Sequence, residues 1–205
     1  MRKGTRWTLV GHVAGVVAGM AMLAGRIAAQ EASVPHVRSS DPRLAELIDQ
    51  ATRGSVTFRR LVDTVQASHG IVYVEPGMCG HGVRACLKMW MQVSGASRFV
   101  RIAITPSPRP CDVEVMGAIG HELQHAIEVL NEPGIRDGVT MFSYLERIAP
   151  NDQRRFETTA AINAGDRVYD ELRASSRVTP QGARLGCMSP DGSVCRGRRA
   201  TAICC

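Results

Sequence analysis

The sequence lacks four features, and each absence argues against a class of protein or of site. Its longest apolar run, residues 9–24, is shorter than the ~20 residues that a membrane-spanning helix needs. None of its cysteines has the C-x-x-C spacing of a zinc knuckle, and no histidine occurs after His125. Without its basic N-terminal segment, the chain also lacks the excess of positive charge that marks a nucleic-acid-binding protein.

Residues 1–29 have the organisation of a secretory signal peptide. Three basic residues lie among the first six positions, an apolar run follows, and residues 27–29 offer a small-residue cleavage site. Removal of this segment leaves 21 Lys+Arg against 19 Asp+Glu, a net charge of +2 rather than +6. We expect a secreted or periplasmic protein with no nucleic-acid partner and no stable membrane insertion after cleavage. An uncleaved membrane anchor is the alternative.

All seven cysteines lie in the part of the chain that remains after cleavage. In an exported chain this favours disulfides over a cysteine-ligated metal. We expect at most three disulfides, because one of the seven cysteines must stay unpaired or pair with another chain. Cys79 and Cys86 are the favoured local pair, since the six residues between them can close a short loop.

The rest of the chain divides into three parts. Residues 30–40 are polar without a period and predict a linker, residues 41–178 fit one domain, and residues 179–205 predict an irregular, cysteine-rich tail. The fold class of the domain is α+β, with a small antiparallel or mixed sheet followed by two long helices. Apolar periodicity predicts two early helices, at 41–51 and after 54, strands at 71–75, 87–93 and 98–105, and later helices at 112–131, 136–149 and 152–175.

The predicted helix at 112–131 carries the sequence His121-Glu122-Leu123-Gln124-His125. Two histidines four residues apart on a helix stand one turn above each other, so both imidazoles can reach a single ion. Glu122 projects about 100° away from His121, where it can act on a metal-bound water rather than on the metal. The pattern indicates a zinc hydrolase. The alternative is a helix that carries two surface histidines.

Glu157 is the candidate for a third metal ligand. On the predicted helix at 152–175 it shares a face with alanines and other apolar residues, and a carboxylate on such a face needs a hydrogen-bonded partner, a counter-charge or a metal. The alanines also let another helix approach closely. The alternative is a half-exposed glutamate paired with Arg154. Glu128 is the reserve ligand and fits better as a residue that contacts a ligand.

H-E-x-x-H, preceded by a hairpin and followed by a glutamate on a later helix, resembles the gluzincin branch of the zincin metallopeptidases. The resemblance covers roughly residues 71–175, and H-E-x-x-H is its specific part. It implies a zincin-like fold, Zn²⁺ held by His121, His125 and Glu157, Glu122 as general base, and a peptide or protein substrate. In that family an edge strand lies over the cleft, and residues 98–105 are the candidate by their order in the chain.

The chain departs from the family pattern at the oxyanion. The histidine that stabilises it in some gluzincins cannot come from downstream here, and Tyr144, Tyr169 or Arg167 could replace it. The working hypothesis is an exported zinc metallopeptidase-like hydrolase. The rival is a catalytically silent, disulfide-stabilised envelope or binding protein on a zincin scaffold.

Overall fold

The computed structural model describes residues 34–107, 111–149 and 156–178. The predicted signal peptide, the tail and a helix start at Asp152 lie outside these residues. Within the described ranges, no helix is both long and apolar enough to cross a membrane. The elements, in chain order, are β1 Val37–Arg38, α1 Pro42–Gly54, α2 Val56–Gln66, β2 Gly70–Pro76, β3 Ala85–Ser94, β4 Ser97–Ile104, α3 Asp112–Leu130, α4 Gly138–Ile148 and α5 Thr159–Val178.

The strands form one mixed sheet in the order β1-β2-β4-β3, and the α+β class is therefore confirmed. β3 and β4 form the predicted antiparallel hairpin, which turns at Gly95 with a φ of 59°. β2 pairs in parallel with the other side of β4. β4 is consequently an inner strand, and the expectation that residues 98–105 form the edge strand is wrong. β3, the other strand of the hairpin, is the edge strand on that side of the sheet.

Part of the predicted linker belongs to the sheet. Val37 and Arg38 form β1, which pairs in parallel with β2, and Val37 is only 4% exposed. The backbone N–H of His36 donates to Gln66 Oε1 over 2.9 Å. A two-residue strand is too short to show a periodicity in its sequence, and its stability comes from the neighbouring strand. The linker interpretation is therefore wrong for these residues.

The first two helices begin at hydroxyl or carboxylate caps. Asp41 accepts the N–H of Leu44 at the start of α1, and Ser55 accepts the N–H of Phe58 at the start of α2. α3 begins differently: Asp112 is its first residue, and Cys111 occupies the cap position without a side-chain hydrogen bond. A helix start needs only a favourable backbone angle and a partner for its N–H groups.

α3 is buried on almost every side, between the sheet and α5. The two long helices meet through glycines. A Cβ added at Gly165 of α5 would lie 3.2 Å from the carbonyl oxygen of Gly117, and one at Gly120 would lie 2.9 Å from Val168. Because these positions have no side chain, α5 can cover the histidine side of α3. His121 and His125 are therefore not surface residues, and their exposures are 3% and 0%.

The apolar face of α5 is present, but Glu157 is not on it. α5 begins at Thr159, so Glu157 precedes the helix, and the expected helical position is wrong. The hydroxyl of Thr158 accepts the N–H of Ala161 over 3.1 Å. Thr158 therefore caps the helix, and Glu157 is the residue before this cap. The residues of α5 that are buried at the helix interface are Ala161, Ala164, Val168 and Leu172.

The predicted disulfide between Cys79 and Cys86 is confirmed. It spans a Cα separation of 5.6 Å and closes the loop between β2 and β3. Cys111 is also disulfide-bonded. The disulfide between Cys79 and Cys86 fixes the start of β3, the strand whose outer edge faces α3.

Candidate metal centre

Three side chains with metal-ligand chemistry converge between α3 and the start of α5. The Nε2 atoms of His121 and His125 lie 3.1 Å apart, and Glu157 Oε2 lies 3.1 Å from His121 Nε2. The donor atoms of all three residues lie within 4.8 Å of one another. Ligands at 2.0–2.1 Å around a tetrahedral zinc are separated by about 3.3 Å. The arrangement is therefore of the right size for one small metal ion.

Close helix packing positions His121. A Cβ added at Gly165 would lie 3.0 Å from the Cβ of His121, so the backbone of α5 lies directly against this histidine. Any larger residue at position 165 would have to move the helix away from the ring. The sequence contains the signal for this contact, a single glycine within a helix, but it does not reveal the partner.

Two anchored neighbours hold Glu157 in place although it lies outside a helix. Phe156 is 3% exposed and packs edge-to-face against Phe142 with 5.1 Å between the ring centroids. Thr158, on the other side, caps α5. A residue between two fixed neighbours has little backbone freedom, so the carboxylate of Glu157 is held at the histidines.

A hydrogen-bonded carboxylate sets the orientation of His125. The Nδ1–H of His125 donates to Glu128 Oε2 over 2.9 Å, because a carboxylate can only accept. The other nitrogen, Nε2, is then the one that can bind a metal. The hydroxyl of Thr158 donates to Glu128 Oε1 over 2.7 Å. Glu128 is thus a residue behind a ligand rather than a ligand, as the sequence favours.

Burial and hydrogen bonding act in opposite directions on the pKa values of His125 and Glu128. Burial opposes a charge on His125, but the hydrogen bond to Glu128 and the carboxylates of Glu122 and Glu157 raise the pKa of His125 on balance. Burial likewise opposes a charge on Glu128, yet its bonds from His125 and Thr158 lower the pKa of this carboxyl. Glu128 is therefore a stable anionic acceptor for the Nδ1–H.

The chemistry of the donor set fits a cation. Among the described residues, neither carboxylate oxygen of Glu157 accepts a hydrogen bond, although both oxygens are shielded from solvent and Oε2 lies 3.1 Å from His121 Nε2. A buried carboxylate without hydrogen bonds needs a counter-charge. The Nε2 atoms of two histidines point to the same place as Glu157 Oε2. A metal cation would supply the charge that this carboxylate needs and would accept the nitrogen lone pairs.

Glu122 lies beside the ligands but is completely buried. Its Oε2 accepts the backbone N–H of Leu87 over 2.7 Å, which ties α3 to the outer edge of β3. Burial raises the pKa of Glu122, while nearby His121 and His125 act in the opposite direction. The carboxylate is therefore close to the metal ligands and at the same time part of a helix–strand contact.

The three residues expected at the oxyanion lie in different places. Tyr169 packs on Gly117, and its hydroxyl accepts a hydrogen bond from Arg173. Arg167 lines a groove of about 440 Å³ between α2, α3 and α5, which none of the three candidate ligands lines. Burial, followed by the negative charges of Glu128 and Glu132, raises the pKa of Tyr144. Tyr144 is therefore close enough to Glu128 to be affected by its charge.

Comparison of the chain with protein-family models, with curated proteins and with solved structures finds no match. The chemistry of the site must therefore follow from its own donor atoms. Sequence reasoning found the two histidines and Glu157, and the structure brings these three together. Sequence reasoning missed Thr158 and Gly165. A threonine just before an alanine-rich helix is the local signal for the first of these.

Proposed function

We propose that this protein is an exported zinc hydrolase of gluzincin type that cleaves peptide bonds. The observation that carries the proposal is the convergence of His121, His125 and Glu157 next to the carboxylate of Glu122. Two imidazoles and one carboxylate form a ligand set that zinc prefers, and three protein ligands leave a fourth position open. The α+β fold, with the antiparallel edge strand β3 against α3, supports a zincin-like scaffold.

The residues of the site divide the chemical work. His121, His125 and Glu157 would hold the ion, which supplies Lewis-acid chemistry when bound. Glu122 takes the proton of the attacking water and returns it to the leaving amine. The bond from the N–H of Leu87 to Oε2 of Glu122 holds this carboxylate in place beside the histidines. Glu128 keeps the Nε2 atom of His125 turned to the ion.

One observation favours a second candidate, a catalytically silent metal-binding protein. Glu122 has no exposed surface, and its hydrogen bond to Leu87 joins α3 to the sheet. A carboxylate in that position stabilises the fold whether or not it takes part in catalysis. Under this alternative the ion is structural, and the protein does not cleave peptides.

The test is the change Glu122→Gln, with zinc content and chelator-sensitive cleavage of denatured casein measured on the same sample. We expect the variant to keep its zinc and to lose roughly 10²–10⁴-fold in rate, because it loses the proton acceptor. Glu114→Gln is the matched control. It removes another buried glutamate of α3, one that pairs with Arg84 over 2.7 Å, and should retain activity.

The outcomes separate the two candidates. A wild-type protein that binds zinc and does not cleave casein would favour the silent protein. Loss of zinc in the Glu122→Gln variant would mean that this residue is a ligand and not the base. Equal loss of activity in the two variants would mean that the effect comes from the stability of α3.

Export is part of the same proposal. The disulfide between Cys79 and Cys86 supports an oxidising compartment, because such bonds are rare in the cytosol. Mass spectrometry of protein recovered from the periplasm or the medium should find an N-terminus near Gln30. A cytosolic protein with an intact Met1 would contradict this proposal and leave the metal site unaffected.

A further inference from the structure

The hydroxyl of Thr158 makes two hydrogen bonds that point in different directions. It accepts the N–H of Ala161 over 3.1 Å and so caps α5. It donates to Glu128 Oε1 over 2.7 Å and so reaches α3. One side chain therefore links the first turn of α5 to a carboxylate thirty residues earlier in the chain.

Glu128 passes this link on to a candidate ligand. Its second oxygen, Oε2, accepts the Nδ1–H of His125 over 2.9 Å. The series Thr158, Glu128, His125 thus runs unbroken from the helix cap to the histidine. Glu157, the ligand from the other segment, is the residue directly before Thr158. A movement of Thr158 consequently affects two ligands at the same time.

We infer that Thr158 and Glu128 are positioning residues that couple the cap of α5 to the metal site, so that metal binding and ordering of the first turn of α5 occur together. The inference rests on the proposed metal site, but not on hydrolysis. Neither residue belongs to the candidate ligand set. Thr158 fixes the backbone that carries Glu157, and Glu128 fixes the ring of His125. Outer partners of this kind typically change metal affinity by 10–100-fold when they are removed.

The chain contains a matched pair that lacks the metal ligand. Ser55 caps α2 by accepting the N–H of Phe58, and its hydroxyl donates to Glu171 Oε2 over 2.5 Å. The other hydrogen bonds to this carboxylate come from Thr57 and Val56, in the first turn of the same helix. Ser55 and Thr158 therefore make the same two contacts, and only the contacts of Thr158 lead to a ligand.

The experiment measures zinc affinity by competition with a chromophoric chelator for wild type, Thr158→Val, Thr158→Ser and Ser55→Ala. Thr158→Val keeps the branched shape and removes the hydroxyl, so we expect zinc binding about 10–100-fold weaker. Thr158→Ser restores the hydroxyl and should bind as wild type does. Ser55→Ala should lower the melting temperature of the metal-free protein with little change in zinc affinity.

A second readout follows the helix cap itself. In wild type, added Zn²⁺ should slow hydrogen exchange at the N–H of Ala161, because the metal orders the first turn of α5. In Thr158→Val this slowing should be lost. If Thr158→Val does not fold, Glu128→Gln serves instead, since it leaves the bond between Thr158 and Ala161 in place and weakens the bond to His125.

The results distinguish the inference from the proposed function. Unchanged affinity and unchanged exchange in Thr158→Val or Glu128→Gln, with zinc bound to wild type, would overturn the coupling and leave the metal site standing. Equal loss of affinity in Ser55→Ala would overturn it as well, because general destabilisation would then explain the effect. A wild-type protein that binds no zinc would overturn the site and the coupling together.

Discussion

Two helices of this protein begin with the same device, a hydroxyl that caps the helix and also donates to a carboxylate on another helix. At α2 the pair is Ser55 and Glu171, and at α5 it is Thr158 and Glu128. Glu171 returns its other contacts to the first turn of α2. Glu128 instead reaches His125. One pair is closed on itself, and the other leads into the candidate metal centre.

The difference shows that the role of a cap depends on what the second oxygen of its carboxylate contacts. Both pairs satisfy an N–H group that a helix start leaves without a partner, so both stabilise the fold. Only the pair at α5 also fixes a ring nitrogen. A local motif of the same chemistry is therefore structural at the start of α2 and part of a candidate site at the start of α5.

The largest expected effect comes from the ligand beside the cap at α5. Glu157→Ala should abolish stable zinc binding with the fold largely kept, because two histidines alone hold zinc weakly. Zinc stoichiometry after dialysis measures the binding, and circular dichroism measures the fold. The control is Glu146→Ala, which removes an exposed carboxylate of α4. A Glu157→Ala protein that retains one tightly bound zinc would refute the ligand set.

Gly165→Ala tests the segment of α5 that lies between the two pairs. The added methyl would lie 3.0 Å from His121 Cβ and 3.2 Å from the carbonyl oxygen of Gly117. Overpacking of this kind costs about 1–3 kcal/mol, so the melting temperature and zinc binding should both fall. Asn163→Ala, at an exposed position of the same helix, is the control. Unchanged zinc affinity in Gly165→Ala would mean that α5 does not need this close contact.

The smallest effect is expected at the closed pair and depends on pH. Burial opposes a charge on Glu171, but hydrogen bonds from Ser55 and Thr57 lower its pKa on balance. A lowered pKa in the folded state gives stability that is present above the unfolded value, near 4.5, and is lost as the pH falls through the folded value. The melting-temperature difference between wild type and Glu171→Gln, both metal-free, should therefore shrink towards low pH. A constant difference would contradict this assignment.

Local patterns were sufficient to predict much of the fold. The strands β3 and β4 and the turn between them involve residues close in sequence, and the structure confirms them. The sheet order was not predictable in this way, because β2 pairs with β4, the second strand of the hairpin, and not with β3, which follows β2 in the chain. Nothing local in β4 shows that its second edge is occupied.

The site divides along the same line. The two histidines are one helical turn apart, so their spacing alone brings them together. The sequence predicts Glu157 on a helix face, whereas in the structure this residue precedes the helix. Its carboxylate nevertheless lies 3.1 Å from His121 Nε2. Its true position depends on Phe156, which packs against α4, and on Thr158, which contacts Glu128. Contacts between distant segments of this kind leave no periodic pattern in a sequence.

The central claim is that one metal ion binds to two histidines and a carboxylate rather than to cysteine thiolates. X-ray absorption spectroscopy at the zinc edge, on protein loaded with one equivalent of Zn²⁺, tests it most directly. We predict scattering from two imidazoles and from oxygen at 2.0–2.2 Å, with no sulfur shell. A zinc–sulfur distance near 2.3 Å would contradict the claim.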